Sequence, residues 1–314
     1  MNVLYLSCHA VLEYDELGLL SELGHDVFCL GDARNTERPR TAGRDGSCGW
    51  LTPREIEAGL RHGPSRVPRG IIERADAIIC MHRWQWLRAR WYWLRRKKVF
   101  LRLIGQHDAG LGAAIRRYTD EGLQVIPYWP TDLQLNGLAS DQVTHVVRFY
   151  KDEREFSGWT GARPMVLTVC NNITRDGGRA CHASLWKGAT AGLPRVLLGR
   201  GNRLFGDFTA RVPYWLLKEL YRQCRVYFYV GTEPASYTLN LIEAMMTGIP
   251  VVAYETGAAR ELAGFTSADA GELHEMLAGI LAGRIDSEPL RRRELAGCLF
   301  GRAQALEAWR RALQ

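Results

Sequence analysis

A carboxylate interrupts an apolar helical pattern in the stretch GTEPASYTLNLIEAMMTGIPVVAYETG, residues 231–257. Glu243 lies among the apolar positions of a helix predicted over residues 236–248, where a charge is normally avoided. With Asn240 and Thr247 it forms one polar stripe at helical spacing. A buried carboxylate needs hydrogen-bond donors, and a ribose with two vicinal hydroxyls supplies them. The stripe indicates a nucleotide contact or, alternatively, a solvated helix face.

The start of this helix is a candidate anion site. The strand RVYFYV leads into GTEPAS, where Ser236 or Thr238 caps the helix, and Gly248 supplies its left-handed C-terminal residue. Free amides at a helix start, together with the helix dipole, favour a phosphate or a sugar hydroxyl. We therefore expect donor atoms for an anion close to Ser236.

The elements that position these residues alternate between strand and helix. In the first half the predicted strands are residues 3–7, 26–30, 75–81, 99–104, 124–126 and 145–149, with a helix over 15–23 and an irregular segment over 31–70. In the second half the strands RPMVLTVC, PRVLLG, RVYFYV and IPVVAY alternate with helices predicted near 181–191, 213–223 and 236–248. Such alternation is typical of a parallel sheet, whose ligands bind at the carboxyl ends of its strands.

We predict an α/β protein with two Rossmann-like domains facing a cleft. Residues 1–158 form the first domain and residues 159–290 the second. Residues 291–314 are predicted to be a helical tail that crosses back to the first domain. The pair Gly199 and Gly201 in VLLGRGN lacks the third glycine of a dinucleotide fingerprint, which favours a tight turn over a direct phosphate contact.

The stretch from residue 230 to residue 253 resembles the donor site of retaining GT-B glycosyltransferases of the family-4 type (glycosyl transferases group 1). In that family a loop after a strand leads to EAMxxGxPVV, and the resemblance implies that Glu243 holds the nucleotide ribose. The family's other glutamate lies eight residues earlier, where this chain has Ala235, and Glu233 is the candidate replacement. The donor-binding residues implied are Asn171, Gly199, Glu233, Ser236, Tyr237, Thr238, Leu239 and Glu243.

The resemblance also implies a basic pair that neutralises the diphosphate. Arg175 in NNITRDGG and Lys187 in SLWKGA occupy the matching region, with Arg179 as a competitor. The leaving group is an anionic diphosphate, so without a bound metal its charge must meet cations and helix amides. The resemblance therefore implies a nucleotide-sugar donor such as a UDP-sugar, no metal and no further cofactor.

In the first domain ADAIICMH resembles the family's strand that ends in a histidine near the sugar. The matched residue is His82, and His107 at the end of the next predicted strand is its rival. Either residue is alternatively a hydrogen-bonded structural histidine. His9 and Glu13 follow the first strand on the acceptor side. The catalytic residues implied are His82, Arg175, Lys187 and Glu243, and the acceptor-side residues are His9, Glu13 and His107.

The segment HRWQWLRARWYWLRRKK, residues 82–98, combines arginines with aromatic residues. Three interpretations compete: a core helix with an arginine-lined outer face, a membrane-surface helix, and a nucleic-acid surface. Tryptophans recur at a spacing of seven residues, which favours core packing.

Composition limits the class of protein. Of 314 residues 46% are hydrophobic and 24% charged, which is typical of a globular protein. No apolar run is long enough to span a membrane and the N-terminal residues do not resemble a signal peptide, so we expect a cytoplasmic protein without a transmembrane segment, open to peripheral membrane contact. Eight cysteines without metal-ligand spacing indicate buried thiols rather than disulfides or zinc.

The net charge of +7 suggests an anionic partner, although arginine enrichment by genome composition is an alternative explanation. The implied reaction transfers a sugar from a nucleotide diphosphate to an acceptor hydroxyl with retention of configuration. The acceptor is an anionic polymer such as modified DNA, or a polysaccharide. The alternatives are a nucleotide-sugar epimerase and a non-catalytic protein that binds a nucleotide-sugar or nucleic acid.

Overall fold

The computed structural model describes residues 1–31, 48–105, 107–202, 209–210 and 212–314. The chain divides into two compact units. The first unit contains Met1–Phe149 together with Ala303–Gln314, and the second contains Tyr150–Arg302.

Five parallel strands form the sheet of the first unit. They are β1 (Asn2–Leu6), β2 (Asp26–Leu30), β3 (Ala77–Met81), β4 (Lys98–Arg102) and β5 (Leu123–Ile126), in the order β2-β1-β3-β4-β5. The central strand β3 is apolar throughout, because helices cover both faces of a parallel sheet. In β3 all five side chains are buried. Burial of each aliphatic side chain stabilises the sheet by about 1.5–3 kcal/mol.

Seven helices of the first unit connect these strands. They are α1 (Ala10–Glu22), α2 (Pro53–His62), α3 (Arg69–Arg74), α4 (Gln85–Arg88), α5 (Trp91–Leu94), α6 (Leu111–Asp120) and α7 (Asp132–Leu135). Helix α1 begins five residues earlier than the sequence pattern predicts, because the imidazole of His9 accepts the Leu12 amide and caps the helix.

The prediction of an irregular segment over residues 31–70 is wrong for the residues that form helix α2. Thr52 and Glu55 form a capping box and Pro53 occupies the first helical position. The sequence T-P-R-E contains this signal, which the search for hydrophobic periodicity missed. Residues 32–47 lie outside the described residues.

The tryptophan-rich segment contains two short helices, α4 and α5, rather than one. Trp91 and Leu94 are buried in the core, and Trp84, Trp86 and Trp93 pack against it from partly buried positions. The exposed positions belong to Tyr92, Gln85, Ala89, Lys98 and four arginines. The aromatic rings are therefore used largely in packing, and the guanidinium groups line the surface.

Six parallel strands form the sheet of the second unit. They are β6 (Arg163–Val169), β7 (Arg195–Leu198), β8 (Thr209–Ala210), β9 (Cys224–Tyr229), β10 (Val251–Tyr254) and β11 (Phe265–Ser267), in the order β11-β10-β9-β6-β7-β8. Each unit is thus a parallel α/β layer structure of the Rossmann-like type, as the alternation of elements predicts.

The helices of the second unit are α8 (Ala183–Ala189), α9 (Tyr214–Gln223), α10 (Leu239–Thr247), α11 (Ala259–Leu262), α12 (Ala270–Leu281) and α13 (Arg293–Phe300). Helix α10 ends at Gly248, whose φ of 85° is left-handed, as predicted. The last helix, α14 (Arg302–Leu313), belongs from Ala303 onwards to the first unit. There Trp309 is fully buried.

The strand predicted over residues 145–149 is wrong. The chain there makes a single bridge from Val143 to Val125 and one hydrogen bond from the Val147 amide to the Pro127 carbonyl, without a ladder. Its apolar residues instead fill the core, where Phe149 stacks on Tyr128. Within the described ranges, none of the helices is long and apolar enough to cross a membrane.

Candidate active site

Glu243 is buried in α10, with 4% of its surface exposed. Its Oε1 lies 3.2 Å from the Lys151 ammonium and accepts a hydrogen bond of 3.1 Å from the Tyr214 hydroxyl. The Tyr221 hydroxyl donates to Oε2 over 3.4 Å. The protein thus supplies the donors that a buried carboxylate requires. The long bond to Oε2 leaves acceptor capacity on that oxygen.

Two partners of Glu243 are buried as well. Lys151 is itself 1% exposed, and its ammonium lies 5.7 Å from the Phe156 ring. Burial raises the pKa of Tyr221, and the negative charge of Glu243 adds to the effect, so that hydroxyl remains a donor. A buried pair of this kind is costly to break, because the remaining charge is left without compensation.

The polar stripe on α10 fastens this helix to the sheet. The Asn240 side-chain amide donates to the Val169 carbonyl at the end of β6, and the Thr247 hydroxyl donates to the Glu243 carbonyl over 2.8 Å. Thr247 is buried and Asn240 is half-buried. The solvated-face alternative is therefore wrong for the part of the stripe that contains Glu243 and Thr247.

The predicted donor residues at the start of α10 come to the carboxyl end of β9. Ser236 and Tyr237 are buried, and Thr238 and Leu239 are half-buried. Thr238 occupies the N-cap position, but its hydroxyl contacts the Tyr229 hydroxyl and the Asn240 side-chain oxygen rather than a helix amide. The first amides of α10 consequently have no side-chain cap, which is the arrangement that an anion at a helix start uses.

The loops after β6 and β7 are joined by asparagines. Asn171 accepts the Arg200 amide over 2.9 Å, and Asn202 accepts the Ile173 amide over 2.9 Å. At Gly199, where φ is 139°, a Cβ would fall 2.1 Å from the Cys170 carbonyl oxygen. Glycine is required there because two backbones approach closely. This agrees with the tight turn favoured from the sequence.

A histidine that the sequence reasoning missed lies at the same edge of the sheet. His182 precedes α8 in a left-handed conformation, with φ of 51°, and its ring lies against Tyr254 at 4.1 Å between centroids. Its Nε2 is 3.4 Å from Glu233 Oε1 without forming a hydrogen bond, while the Thr256 hydroxyl donates to that same oxygen over 3.1 Å. Burial lowers the pKa of His182, and Glu233 partly offsets this.

Strained backbone is concentrated in the loop between β6 and α8. Asn172, Asp176 and His182 all have positive φ, and among non-glycine residues in the described chain only His82 shares this property. Such conformations cluster at ligand sites. Their position after a strand, in a chain segment with two asparagines and two glycines, is the signal that could have drawn attention to His182.

Of the predicted basic pair, the structure describes only the side chain of Lys187. Lys187 is exposed in the last turn of α8, four residues beyond Ala183 and so about 6 Å further along the helix axis. The side chain of Arg175 lies outside the described part of the structure. Arg179 is exposed in the β6–α8 loop, and Arg200, which the sequence reasoning missed, is exposed in the loop after β7. Both arginines lie at the carboxyl edge of the sheet.

In the first unit His82 and His107 lie at the carboxyl ends of the adjacent strands β3 and β4. Burial lowers the pKa of His82, and the positive charges of Arg83 and His107 act in the same direction. His107 Nε2 is 3.0 Å from Asp132 Oδ1. Asp132 is fully buried, and its other oxygen accepts the amides of Tyr128 and Trp129. The Nδ1 atoms of both histidines are buried without a hydrogen-bond partner in the described chain.

The acceptor-side candidates after β1 have defined packing roles. His9 caps α1, as described above. Glu13 is 2% exposed, and a Cβ on Gly31 would fall 2.1 Å from its Oε2, so the end of β2 approaches this carboxylate closely. Because β1 lies between β2 and β3 in the sheet, His9, Glu13 and His82 share one edge. Among the residues that the structure describes, no group of three or more histidines, cysteines or acids could hold a metal ion.

The sequence matches no protein-family model and no curated protein. Solved structures match it over its whole length. Sucrose-phosphate synthase from Thermosynechococcus elongatus superimposes with a TM-score of 0.67 at 16% identity, over 100% of this chain and 98% of that chain. HepE from Anabaena, solved with UDP and glucose, gives 0.66 at 15% identity over 100% and 99%. A glycosyltransferase from Rickettsia africae gives 0.69 at 13% identity over 100% and 98%. The two Rossmann-like units are those of the GT-B fold.

Proposed function

We propose that this protein is a GT-B glycosyltransferase that transfers a sugar from a nucleotide-diphosphate sugar to an acceptor hydroxyl with retention of configuration. The observation that carries the proposal is the full-length likeness to structures of nucleotide-sugar enzymes, including the Anabaena HepE protein solved with UDP and with UDP-glucose. Because the identities are low, the assignment of roles depends on the site residues themselves.

Glu243 is the proposed ribose contact. Lys151 and Tyr214 both engage Oε1, so a ribose hydroxyl would donate to Oε2, which has only the long bond from Tyr221. Hydrogen bonds to a charged group contribute about 1.5–3 kcal/mol each. The family's second glutamate is replaced by Ala235 in this chain. Glu233, beside His182 and Thr256, is the proposed substitute for it.

The diphosphate needs positive charge and oriented amides. The uncapped amides at the start of α10, near Ser236–Thr238, supply the amides. The exposed guanidinium groups of Arg179 and Arg200 supply charge at the same edge, and Arg175 remains a candidate from the resemblance. Lys187 is the weaker candidate because it lies a turn further along α8. We propose that these groups neutralise the leaving group without a resident metal.

In the proposed reaction the bond between the sugar C1 and the diphosphate oxygen breaks, and a bond from the acceptor oxygen to C1 forms on the same face of the sugar. The departing phosphate oxygen takes the acceptor proton, so no pair of carboxylates like that of a glycosidase is required. His82 and His107, whose Nδ1 atoms are buried without a partner in the described chain, are the candidate contacts for the sugar or the acceptor. We further propose an anionic polymer, modified DNA or a polysaccharide, as acceptor, and a cytoplasmic location.

A thermal-shift screen tests the donor site. The purified protein is heated with UDP, GDP, ADP and TDP and their common sugar conjugates, because a ligand that binds the native state raises Tm by mass action. We expect a shift confined to one nucleotide family. No shift with any of them, in a well-folded sample, would contradict a preformed donor site.

Substitution of Glu243 tests its role. Glu243→Gln retains a side chain that can accept hydrogen bonds from the tyrosine hydroxyls. Glu243→Ala leaves the buried Lys151 ammonium without its carboxylate. We expect the alanine variant to lower kcat/KM by on the order of 10² to 10⁴, with loss of the nucleotide-dependent Tm shift. Thr247→Ala, one turn away on α10, is the matched control for packing. A folded Glu243 variant that loses less than about tenfold in kcat/KM would refute the ribose contact.

Product analysis with the donor alone separates the alternatives. An epimerase converts the sugar without an acceptor, and a transferase yields at most slow hydrolysis. Nucleotide binding without any turnover, across a panel of acceptors, would favour a non-catalytic binding protein.

A further inference from the structure

Positive charge is concentrated in one part of the first unit. Between residues 54 and 98 the chain has twelve Lys and Arg against four Asp and Glu, a net charge of +8. The whole chain carries +7, so the remainder sums to −1. A general arginine enrichment by genome composition would spread the charge along the chain. The observed distribution indicates instead a local basic surface.

Within this segment the acidic residues are already paired. Arg61, Arg69 and Arg74 form ion pairs with Glu57, Glu73 and Glu55, respectively. Among the described residues, Arg66, Arg88 and Arg96 have no carboxylate partner. The positive charge that remains is therefore available to a ligand.

Part of this surface forms a groove of about 550 Å³. Its lining includes His62, Arg66, Arg69, Arg90 and Trp93. The groove lies between the turn that precedes α3 and the α4–α5 junction, whereas the site described above lies at the carboxyl ends of the strands.

Arg90 is fixed within the groove. Its Nε donates to the Val67 carbonyl over 2.8 Å and its Nη1 to the Ser65 carbonyl over 3.0 Å, so its guanidinium is held in place. Burial lowers the pKa of Arg90, and the positive charge of Arg66 adds to the effect. Two guanidinium groups therefore approach each other without a described carboxylate between them. Such an arrangement is unfavourable alone and favourable around an anion.

We infer that the groove bounded by Arg66, Arg69, Arg90 and Trp93 binds the phosphodiester backbone of a single-stranded nucleic acid. Guanidinium groups match phosphate geometry, and the Trp93 ring lies beneath the Arg69 guanidinium, at 5.8 Å from its centroid, which helps to position that group in the groove. The inference goes beyond the proposed transfer reaction, since binding requires neither a donor nor turnover.

A membrane surface is the competing partner, and the structure favours it less. Insertion into lipid requires exposed apolar side chains. In this segment the large exposed hydrophobic residues are Tyr92 and Leu60, while Trp84, Trp86 and Trp93 pack against the core. The groove is also concave. A single nucleic-acid strand is narrow enough to enter it, whereas a lipid surface is not.

Fluorescence anisotropy with a labelled thirty-nucleotide oligo-dT tests the inference in the absence of any nucleotide-sugar. We expect micromolar binding at about 50 mM salt, and a fall of log K with log salt at a slope of about −0.7 for each phosphate neutralised. Arg66→Glu should weaken binding by about tenfold and reduce the magnitude of the slope by about 0.7. The Arg66 side chain is exposed and makes no described hydrogen bond, so this variant should fold normally.

Arg284→Glu is the matched control, because Arg284 is an exposed arginine of the second unit and the change in net charge is identical. It should leave the affinity within about twofold of the unchanged protein. Equal losses in the two variants would overturn the inference in favour of diffuse attraction, and absence of binding at low salt would overturn it outright. Sedimentation with phosphatidylglycerol vesicles but no affinity for oligo-dT would assign the surface to a membrane.

Discussion

Among the described residues, each unit of this protein buries a glutamate against a lysine or arginine, and the two pairs differ in what else can reach them. In the first unit Arg102 on β4 donates to Glu16 of α1 over 2.7 Å, and the Tyr5 hydroxyl contacts the other oxygen of Glu16. In the second unit Lys151 faces Glu243. Glu16 and Glu243 are 3% and 4% exposed, so burial does not distinguish them.

The two glutamates differ in their position in the fold and in the residues that surround their ion pairs. Arg102 is covered by aromatic rings, with Phe149 at 5.0 Å and Trp309 at 5.8 Å, and lies within the sheet. Glu243 belongs to a helix that begins at the carboxyl end of β9, and its partner Tyr214 is only half-buried. A carboxylate in an apolar helical pattern therefore predicts an ion pair. It predicts a ligand only when the helix also begins at the edge of the sheet where ligands bind.

The largest expected effect is on the pair that has no proposed ligand. Glu16→Ala leaves Arg102 buried without a carboxylate and should lower the free energy of unfolding by about 3–5 kcal/mol. Urea denaturation measures this loss. Replacement of both partners by apolar residues, Glu16→Leu with Arg102→Met, should recover much of the stability. If the single variant costs less than about 1 kcal/mol, the pair is not the closed structural unit described here.

A smaller effect should separate the two tyrosines that donate to Glu243. Tyr221→Phe removes a fully buried hydroxyl and should cost about 1.5–3 kcal/mol of stability. It should also change nucleotide affinity, because that hydroxyl shares Oε2 with the proposed ribose contact. Tyr214→Phe should cost less stability, because its side chain is half-buried, and should change nucleotide affinity less, because its hydroxyl engages Oε1. Chemical denaturation and the nucleotide-dependent Tm shift report these two quantities. The opposite order of nucleotide effects would place the ribose contact on Oε1.

The smallest expected effect is on the pH dependence of stability. Burial lowers the pKa of His82 in one unit and of His182 in the other, so the folded state binds fewer protons there than the unfolded chain. The stability that this contributes is present above the ordinary histidine pKa of about 6.5 and is lost as pH falls through the folded-state values. We expect a lower Tm at pH 5 than at pH 7.5, and His82→Gln with His182→Gln should reduce the difference. A double variant with an unchanged pH profile would assign the effect to other groups.

Much of the fold could be predicted, because its determinants are local. The apolar runs at β3 and β9 and the glycine at the end of α10 specify their own conformations. The failures have equally local reasons: α2 is marked by its capping box rather than by periodicity, and the run at residues 145–149 is apolar because it fills the core.

The site could be predicted only in outline. Glu243 is indicated by its position in an apolar helical pattern and Ser236 by its place after a strand, whereas Asn171 is implied only by the resemblance; their roles at the site stay predictions. Lys151 lies 92 positions before Glu243 in the sequence, and nothing local indicates that they pair. Asp132 reads as an ordinary helix-start residue until its contact with His107 is seen. Residues that contact each other only in the tertiary fold cannot be recognised as partners from their spacing in the sequence.

The division of the chain has a consequence for its synthesis. The second unit is one continuous stretch, so a ribosome delivers all of it before the last helix is made. The first unit is begun first and completed last, because Trp309 and the carbonyls of Leu313 and Gln314, which accept from Lys98, arrive at the very end. Until then the nascent first unit exposes the surface that α14 covers. The second unit can therefore complete its fold before the first unit does, although translation of the first unit begins earlier.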